Sequence, residues 1–528
     1  MTYFKKLACV GELLEEGLKR YPQNIAFIEV NRDKETARLT YEYFRSQALK
    51  LANQIHLDVT PGSHGAILMS NQSRWPLCAT AIFWCGGIVV PLDYKLTPKE
   101  QRALLAHSES KILFIEWPIY ERWIKEGIDF PSNLRVIVSE VPSVFPTAKR
   151  FEGSTRAPVI DHDRWEQLFE TNDSNEPMFK KVNRSREDIA CIVYSSGTGG
   201  TPKGCMLTHG NYLAQAEVLA KMFPIKPNDR YFSVLPTNHA IDFMCGFLLP
   251  LQFGSAVVHQ RTLRPEFLAA TMKTYGISHM ALVPLLLKAF ENKIRGEIDQ
   301  KSKLVQKILY ALMKFNRLIT YRKPWYAFSK ILFRPIHSAF GGRLRLMFAG
   351  GAFVDARTAE FFYALGLPVA IGYGLTESGT VLTVNNIHPF RADTVGQPIE
   401  GVALEIKNPD RAGIGEVWVK GPTLMKGYFK EPELTQEVLL GGWLKTGDIG
   451  QVDSTGHLKL FGRSKNMIVT EGGKNIYPED VEALFGSIDQ VEELCVFSTS
   501  FVWPGTDLKK EKLFMVVRSK SGEQDKNL

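Results

Sequence analysis

Apolar positions along the first 190 residues follow two rhythms. Residues 41–55 carry them at three- and four-residue steps, which predicts a helix opening at Leu39-Thr40-Tyr41, and residues 78–84 read as a second helix. Short apolar runs at 66–69, 88–90 and 111–115 lie between such stretches and predict buried strands. From Asp188 onward the alternation resumes, with strand-like runs at 189–194, 256–259, 280–284, 345–348 and 369–371. Strands separated by helices predict largely parallel α/β sheets, so two successive α/β units are expected, at about 1–188 and 189–392. Beyond residue 393 the texture changes: β-rich runs such as 403–407 and 415–419, broken by Gly and Pro, predict a small β subdomain reaching about residue 461.

Two uncharged stretches, 75–92 and 243–258, invite comparison with a membrane span, which needs about 20 apolar residues. The first is broken by Gly86-Gly87 and Pro91 and reads as a buried helix turning into a strand. The second is short and contains Pro250, Gln252, Gly254 and Ser255. Neither is expected to cross a bilayer.

Composition adds exclusions. With 528 residues, 45% hydrophobic and 23% charged, the chain is an ordinary globular one of several folding units, which rules out disorder, collagen and coiled coil as descriptions of the whole. The seven Cys are scattered and never spaced Cys-x-x-Cys, so neither a disulfide framework nor a zinc site is expected, and a reducing compartment fits. Met1 to Lys6 soon meets Glu12, Glu15 and Glu16, without the apolar core of a signal peptide, so the expected location is cytoplasmic.

The net charge of +8 has one source. Residues 301–345 hold eleven basic residues and no acid, and without them the chain has 53 basic residues against 56 acidic. Within this segment Leu304, Ile308, Leu312, Phe315 and Ile319 recur at helical steps, with Lys303, Lys307, Lys314 and Arg317 on another side of the same helix. The ordinary reading is a helix docked on the core by its apolar face, with a solvated basic face. The sharper one is peripheral attachment to anionic membrane, aided by Trp325, Tyr326, Phe328 and Phe333. No nucleic-acid partner is expected, because no recognised motif accompanies the patch.

Four segments carry chemistry. Residues 194–204, YSSGTGGTPKG, form a strand end running into a loop of hydroxyls and glycines closed by Lys203. Glycines let backbone amides turn toward bound oxygens and Lys supplies charge, so the loop has the makings of a polyphosphate clamp. It is not the common P-loop, because Lys203 is followed by Gly204, and on composition alone a flexible turn remains open. Residues 372–379, GYGLTESG, offer Glu377 to a magnesium ion and the flat face of Tyr373 to a base, or else simply turn the chain after a strand. Asp448, after Gly447, is placed to accept ribose hydroxyls or to make an Asx turn. The fourth segment is Gly462-Arg463-Ser464-Lys465.

Taken in order, these segments resemble the adenylate-forming superfamily that includes acyl-CoA synthetases, luciferases and the adenylation domains of peptide synthetases. The likeness runs from Leu39-Thr40-Tyr41 to Gly472-Gly473-Lys474-Asn475-Ile476-Tyr477-Pro478. It implies an α/β fold: a large N-terminal domain, 1–461, of two α/β subdomains and a β subdomain, a hinge at 462–466 containing Lys465, and an α+β lid domain. It implies that Ser195, Ser196, Gly197, Thr198, Gly199, Gly200 and Lys203 grip the ATP phosphates, with Thr198 and Glu377 near Mg2+. Gly350, Gly351, Ala352 and Tyr373 would enclose adenine, Gly374 and Thr376 would complete the nucleotide site, and Asp448 would hold the ribose with Arg463 close by. His239, in Leu-Pro-Thr-Asn-His, falls where the family places an aromatic residue or His beside the substrate carboxylate, although a His there also suits a plain helix start. Gly472 and Gly473 would line the thiol tunnel. The implied catalytic set is Thr198, Lys203, His239 and Glu377.

The implied reaction joins a carboxylic acid to the α-phosphorus of ATP, releases pyrophosphate, and passes the acyl group to coenzyme A. The basic insertion at about 296–340, with LPTNHAIDF and RLRLMFAGGA, resembles the long-chain fatty acyl-CoA synthetase branch. An acyl carrier protein is the alternative acceptor. Two departures stand out. Gly199 occupies a position where the family usually has a second Thr. The family's lid also ends in a Gly-Lys motif whose Lys contacts the reacting groups, and the last segment here, Ser519 to Leu528, is polar and charged and holds no such motif, so residues 467–528 are expected to be an incomplete lid. A catalytically impaired ATP or acyl binder is therefore a further alternative.

Overall fold

Runs of apolar residues without polar alternation suit strands covered on both faces, as in parallel sheets flanked by helices. They form the centres of two sheets in the computed structural model, which describes residues 2–142, 162–169, 182, 184–195, 202–464, 468–469, 475–476, 478, 481–482, 491–498 and 513–519. In the first sheet Ile25–Asn31, Ala256–Gln260, Arg230–Ser233, His279–Leu282, Leu346–Ala349 and Val369–Tyr373 lie side by side and parallel. Lys34–Thr40 closes one edge antiparallel, and Thr383–Val384 with Gln397–Pro398 the other. In the second sheet Ile189–Ser195, Ile88–Pro91, His64–Leu68, Ile112–Glu116, Arg135–Ser139 and Asp163–Arg164 are parallel neighbours. Lys203–Thr208 and then Gly427–Tyr428 extend it antiparallel.

The sheets interleave in sequence. Residues 25–40 belong to the same sheet as residues 230–398, while 189–208 join the sheet of residues 64–164, so a cut of the chain between 188 and 189 divides both. A third, antiparallel sheet holds Ala403–Lys407, Gly415–Lys420, Trp443–Val452, Leu439–Leu440 and Leu458–Arg463. One apolar cluster joins all three, since Phe27 and Val257, Ile67 and Val89, and Val417 and Leu444 are buried in it together. Beyond residue 464, Ile468–Val469 pairs with Asn475–Ile476, and Val491–Ser498 with Leu513–Ser519.

Local signals fix the helices. Tyr41–Ile55 begins where the Thr40 hydroxyl accepts from the Tyr43 amide, and Pro98–Ser108 where Thr97 and Glu100 form a reciprocal capping box. The uncharged stretch at 75–92 is the buried helix Arg74–Trp84 followed by the buried strand Ile88–Pro91. The run at 280–284 ends as a strand at Leu282, because Pro284 opens the helix Pro284–Asp299 instead, a position where its missing amide costs nothing. No helix among the described residues is long and apolar enough to cross a membrane.

The basic helix, Lys303–Thr320, corrects the ordinary reading of its sequence. Its docked stripe is not 304, 308, 315 and 319, which are exposed, but Met313, Asn316 and Thr320, with Leu309 and Leu312 partly covered. Polar groups hold it there: Asn316 Nδ2 donates to Ala364 O at 3.0 Å, Ser329 Oγ donates to Asn316 Oδ1 at 2.9 Å, and the Tyr363 hydroxyl donates to Thr320 O. Buried hydrogen bonds decide the orientation that an apolar count assigns to the wrong side.

Candidate active site

Lys203 opens a strand and faces Ser195 across an antiparallel hairpin. Between them, Ser196, Gly197, Thr198, Gly199 and Gly200 lie outside the described residues, as do Lys465, Gly472 and Gly473. On its outer side the Lys203 strand pairs with Gly427–Tyr428, Cys205 standing opposite Tyr428. This register brings the Tyr428 ring beneath the ammonium, with Lys203 Nζ 5.3 Å from the ring centroid, a cation–π contact. The Tyr428 hydroxyl donates to Glu377 Oε1 at 2.8 Å. Burial, and then the neighbouring Glu377 carboxylate, push the Tyr428 phenol far above its ordinary pKa, so it remains a donor at neutral pH. Two sites read from distant motifs, the Lys and the acid, therefore share one tyrosine.

Glu377 lies in the 3-10 turn Thr376–Ser378, where its backbone carbonyl accepts from the Met425 amide at 2.7 Å and the Ser378 hydroxyl accepts from the Leu375 amide at 2.9 Å. Among the described residues no group of three or more His, Cys, Asp or Glu is arranged to hold a metal ion. A single hard carboxylate that shares Tyr428 with Lys203 nevertheless fits Mg2+, which keeps several waters and takes one or two carboxylates together with substrate phosphates.

Tyr373 ends the strand Val369–Tyr373, and its hydroxyl donates to Asp448 Oδ2 at 2.6 Å. The other carboxylate oxygen faces Arg463 Nε at 2.9 Å. Asp448 and Arg463 are register partners on neighbouring antiparallel strands, so the pair follows from the sheet and is not an Asx turn. Burial raises the Asp448 pKa, while Tyr373 and Arg463 oppose the rise.

The surrounding glycines make room. A Cβ on Gly374 would stand 1.9 Å from Thr380 O, and one on Gly350 2.7 Å from Gly372 O, so both positions carry backbone at closest approach. Gly351, at φ +78°, has nothing within 4 Å of a Cβ position. Gly350, Gly351, Ala352, Tyr373, Gly374 and Thr376 all line one cavity of about 610 Å³. Its other walls are mainly apolar, including Phe223, Leu235, Leu249, Leu268 and Leu286, and His239 lines it too.

His239 is both a helix start and a wall residue: it precedes the helix Ala240–Phe243 without capping it through its side chain, and it is exposed and lines the cavity. The surrounding protein lowers its pKa by desolvation, Asp93 opposes this, and Lys95 reinforces it, which favours neutral imidazole. Beneath it the fully buried Asp242 accepts from Tyr231 OH at 2.9 Å, Ser233 Oγ at 2.9 Å and Thr237 Oγ1 at 3.0 Å. Burial holds the Asp242 pKa up at about 6 against those donors. Asn71 ties in the same loop, accepting from the Thr237 amide at 3.0 Å and donating to Ser233 Oγ at 3.0 Å. Tyr428 and Asp242 were not singled out by sequence. The only local signal for the first is its place in Lys-Gly-Tyr-Phe, and for the second an acid in an otherwise uncharged helix.

This architecture is that of the adenylate-forming enzymes. O-succinylbenzoate-CoA synthetase of Bacillus subtilis, solved with ATP and magnesium, superposes with a TM-score of 0.71 at 21% identity over 96% of this chain and 89% of its own. The anthranilate-CoA ligase AuaEII, solved with anthranoyl-AMP, gives 0.74 at 20% identity over 98% and 88%. The chain belongs to the AMP-binding enzyme family, which it matches over residues 14–429. Among its relatives is the chloroplastic long-chain-fatty-acid–[acyl-carrier-protein] ligase AEE15 of Arabidopsis thaliana, 24% identical over 92% of this chain and 74% of that protein. The long-chain-fatty-acid–CoA ligase FadD15 of Mycobacterium bovis is 27% identical over 83% and 71%.

Proposed function

We propose that the chain activates a fatty acid with ATP and transfers the acyl group to the thiol of coenzyme A. The observation that carries this reading is the shared cavity, in which the glycine-framed surface around Tyr373 and Gly350 opens onto apolar walls and His239. A nucleotide and an acyl chain can occupy such a space with the carboxylate at their junction.

In the first step a carboxylate oxygen attacks the α-phosphorus of ATP, the bond to the bridging oxygen breaks, and pyrophosphate leaves. Two anions must approach, so the cost is electrostatic, and fixed positive charge lowers it where negative charge accumulates. Lys203 supplies that charge, and the Tyr428 contact sets its starting position. Mg2+, held through Glu377, would supply further neutralisation of the phosphate oxygens when bound. Neutral His239 is suited to donate a hydrogen bond to the carboxylate without forming a fixed ion pair that would blunt its attack. Asp448, braced by Tyr373 and Arg463, is the acceptor suited to ribose hydroxyls. In the second step the thiolate attacks the acyl carbon and AMP departs.

Exchange of labelled pyrophosphate into ATP that depends on added fatty acid tests the first step. Its absence with short, medium and long acids would refute the proposal, and an ATP-induced rise in melting temperature without exchange would identify a nucleotide binder. Because AEE15 carries an acyl-carrier-protein ligase name, a second acceptor is specific enough to test. AMP release on adding coenzyme A supports the first acceptor, and release only on adding a thiol-bearing carrier protein supports the second.

A further inference from the structure

The helix Lys303–Thr320 has three parallel stripes. At 3.6 residues per turn, positions 309, 313, 316 and 320 share one side, and this side meets the protein. Positions 304, 308, 315 and 318 share another, and here Leu304 is 68% exposed, Ile308 49%, Phe315 49% and Leu318 77%. Positions 303, 307 and 314 form the third, adjoining the second, and all are exposed lysines.

The apolar stripe continues beyond the helix. Phe328 lies 6.4 Å from Phe315 and stacks with Trp325 at 5.2 Å, and Trp325 is itself 57% exposed. An apolar surface of this extent, rimmed by charge of one sign, is the mark of an interaction site.

Charge decides the occupant. The segment 301–345 has eleven cations and no anion, so a second copy packed isologously would set like charges against one another. Aliphatic and aromatic side chains beside a row of lysines match an interface in which acyl chains lie next to anionic headgroups. We propose that this face docks the protein on an anionic lipid bilayer, with the helix in the plane of the interface, Leu304, Ile308, Phe315 and Leu318 entering the acyl boundary and Lys303, Lys307 and Lys314 at the headgroups. The buried stripe of Met313, Asn316 and Thr320 keeps the helix attached to its own domain throughout. No spanning segment is required, and the inference does not depend on the reaction proposed above.

Flotation of the full chain with vesicles of phosphatidylcholine, with and without phosphatidylglycerol, tests this. The protein is expected to float with the anionic vesicles and far less with the neutral ones, and salt should weaken the association. Each lysine near the surface contributes about a fivefold gain in partitioning, so the triple variant Lys303→Gln, Lys307→Gln, Lys314→Gln should lose on the order of a hundredfold. Leu304→Ser with Phe315→Ser should reduce the fraction bound at high salt. These positions are exposed, so melting temperatures should match the parent. Failure to float with anionic vesicles, equal binding to neutral ones, or parental binding by both variants would overturn the proposal. So would light scattering in which the serine variant turns a dimer into a monomer, because the face would then join two copies of the chain.

Discussion

Tyr428 touches two groups of opposite charge in different ways, its ring against the Lys203 ammonium and its hydroxyl on the Glu377 carboxylate. The ring stabilises the cation without neutralising it, and the hydrogen bond fixes one carboxylate oxygen, so neither charge is spent on the other. Lys203→Ala and Glu377→Ala should each lower fatty-acid-dependent pyrophosphate exchange by about 10²- to 10³-fold, the usual effect of deleting a preorganised charge. Circular dichroism and melting should be unchanged, and retained activity would remove that residue from the site. Tyr428→Phe keeps the ring contact and loses the hydrogen bond. It should raise the Mg2+ concentration for half-maximal exchange about tenfold, in line with a hydrogen bond to a charged group, and an unaltered Mg2+ requirement would make the hydroxyl purely structural. Lys203 and Glu377 were legible in the sequence as candidates because each sits in a distinctive ordered motif, and the structure brings both to one tyrosine. Tyr428 was not, since only the pairing of Gly427–Tyr428 with residues 205–206 brings it there, and no local period encodes a register between strands so far apart.

The turn after Val369–Tyr373 is the element on which the proposed nucleotide surface depends, and Gly374 is its tightest point. A methyl group there would overlap the Thr380 carbonyl, a backbone atom that cannot swing aside. Gly374→Ala should therefore cost about 3 kcal/mol or more of stability and abolish the ATP-induced shift in melting temperature. A normal shift would show that the turn can be rebuilt without its glycine. Much at this scale was readable: the helix at 41–55 and the strand at 403–407 occur as the pattern predicts, because one apolar side and a cap or turn suffice to define them. The orientation of Lys303–Thr320 was not readable. That helix has an apolar stripe and a mixed stripe, and the mixed one is buried because Asn316 finds Ala364 O and Ser329 as partners. Counting hydrophobic residues cannot weigh a satisfied buried amide.

Across the whole molecule, buried histidines set the response to acid. Desolvation lowers the pKa of His209 to about 4, and it also lowers those of His259 and His279. Each folded-state value lies below the unfolded one, so the unfolded chain binds more protons between the two, and stability present above about pH 6.5 is lost as pH falls toward 4. Asp242, with its raised value of about 6, works in the opposite sense over part of that range, as do the raised carboxyls of Asp448 and Glu116, but these acids titrate mostly below the upper part of the window in which the histidines act. The apparent melting temperature should fall between about pH 7 and 5. His209→Gln, which can still accept from the Val10 amide, should remove about 1.4 kcal/mol per pH unit of the slope, and an unchanged slope would mean that His209 titrates as an exposed histidine does. The interleaved sheets bear on how the protein is made. Ile25–Asn31 finds its parallel neighbour only when Ala256–Gln260 exists, and Lys203–Thr208 finds its outer neighbour only at Gly427–Tyr428. A nascent chain on the ribosome therefore carries bare strand edges through much of its synthesis. Arrest of translation before Ala256 should release a polypeptide that chaperones retain, and neither sheet can be completed by the first half of the message alone.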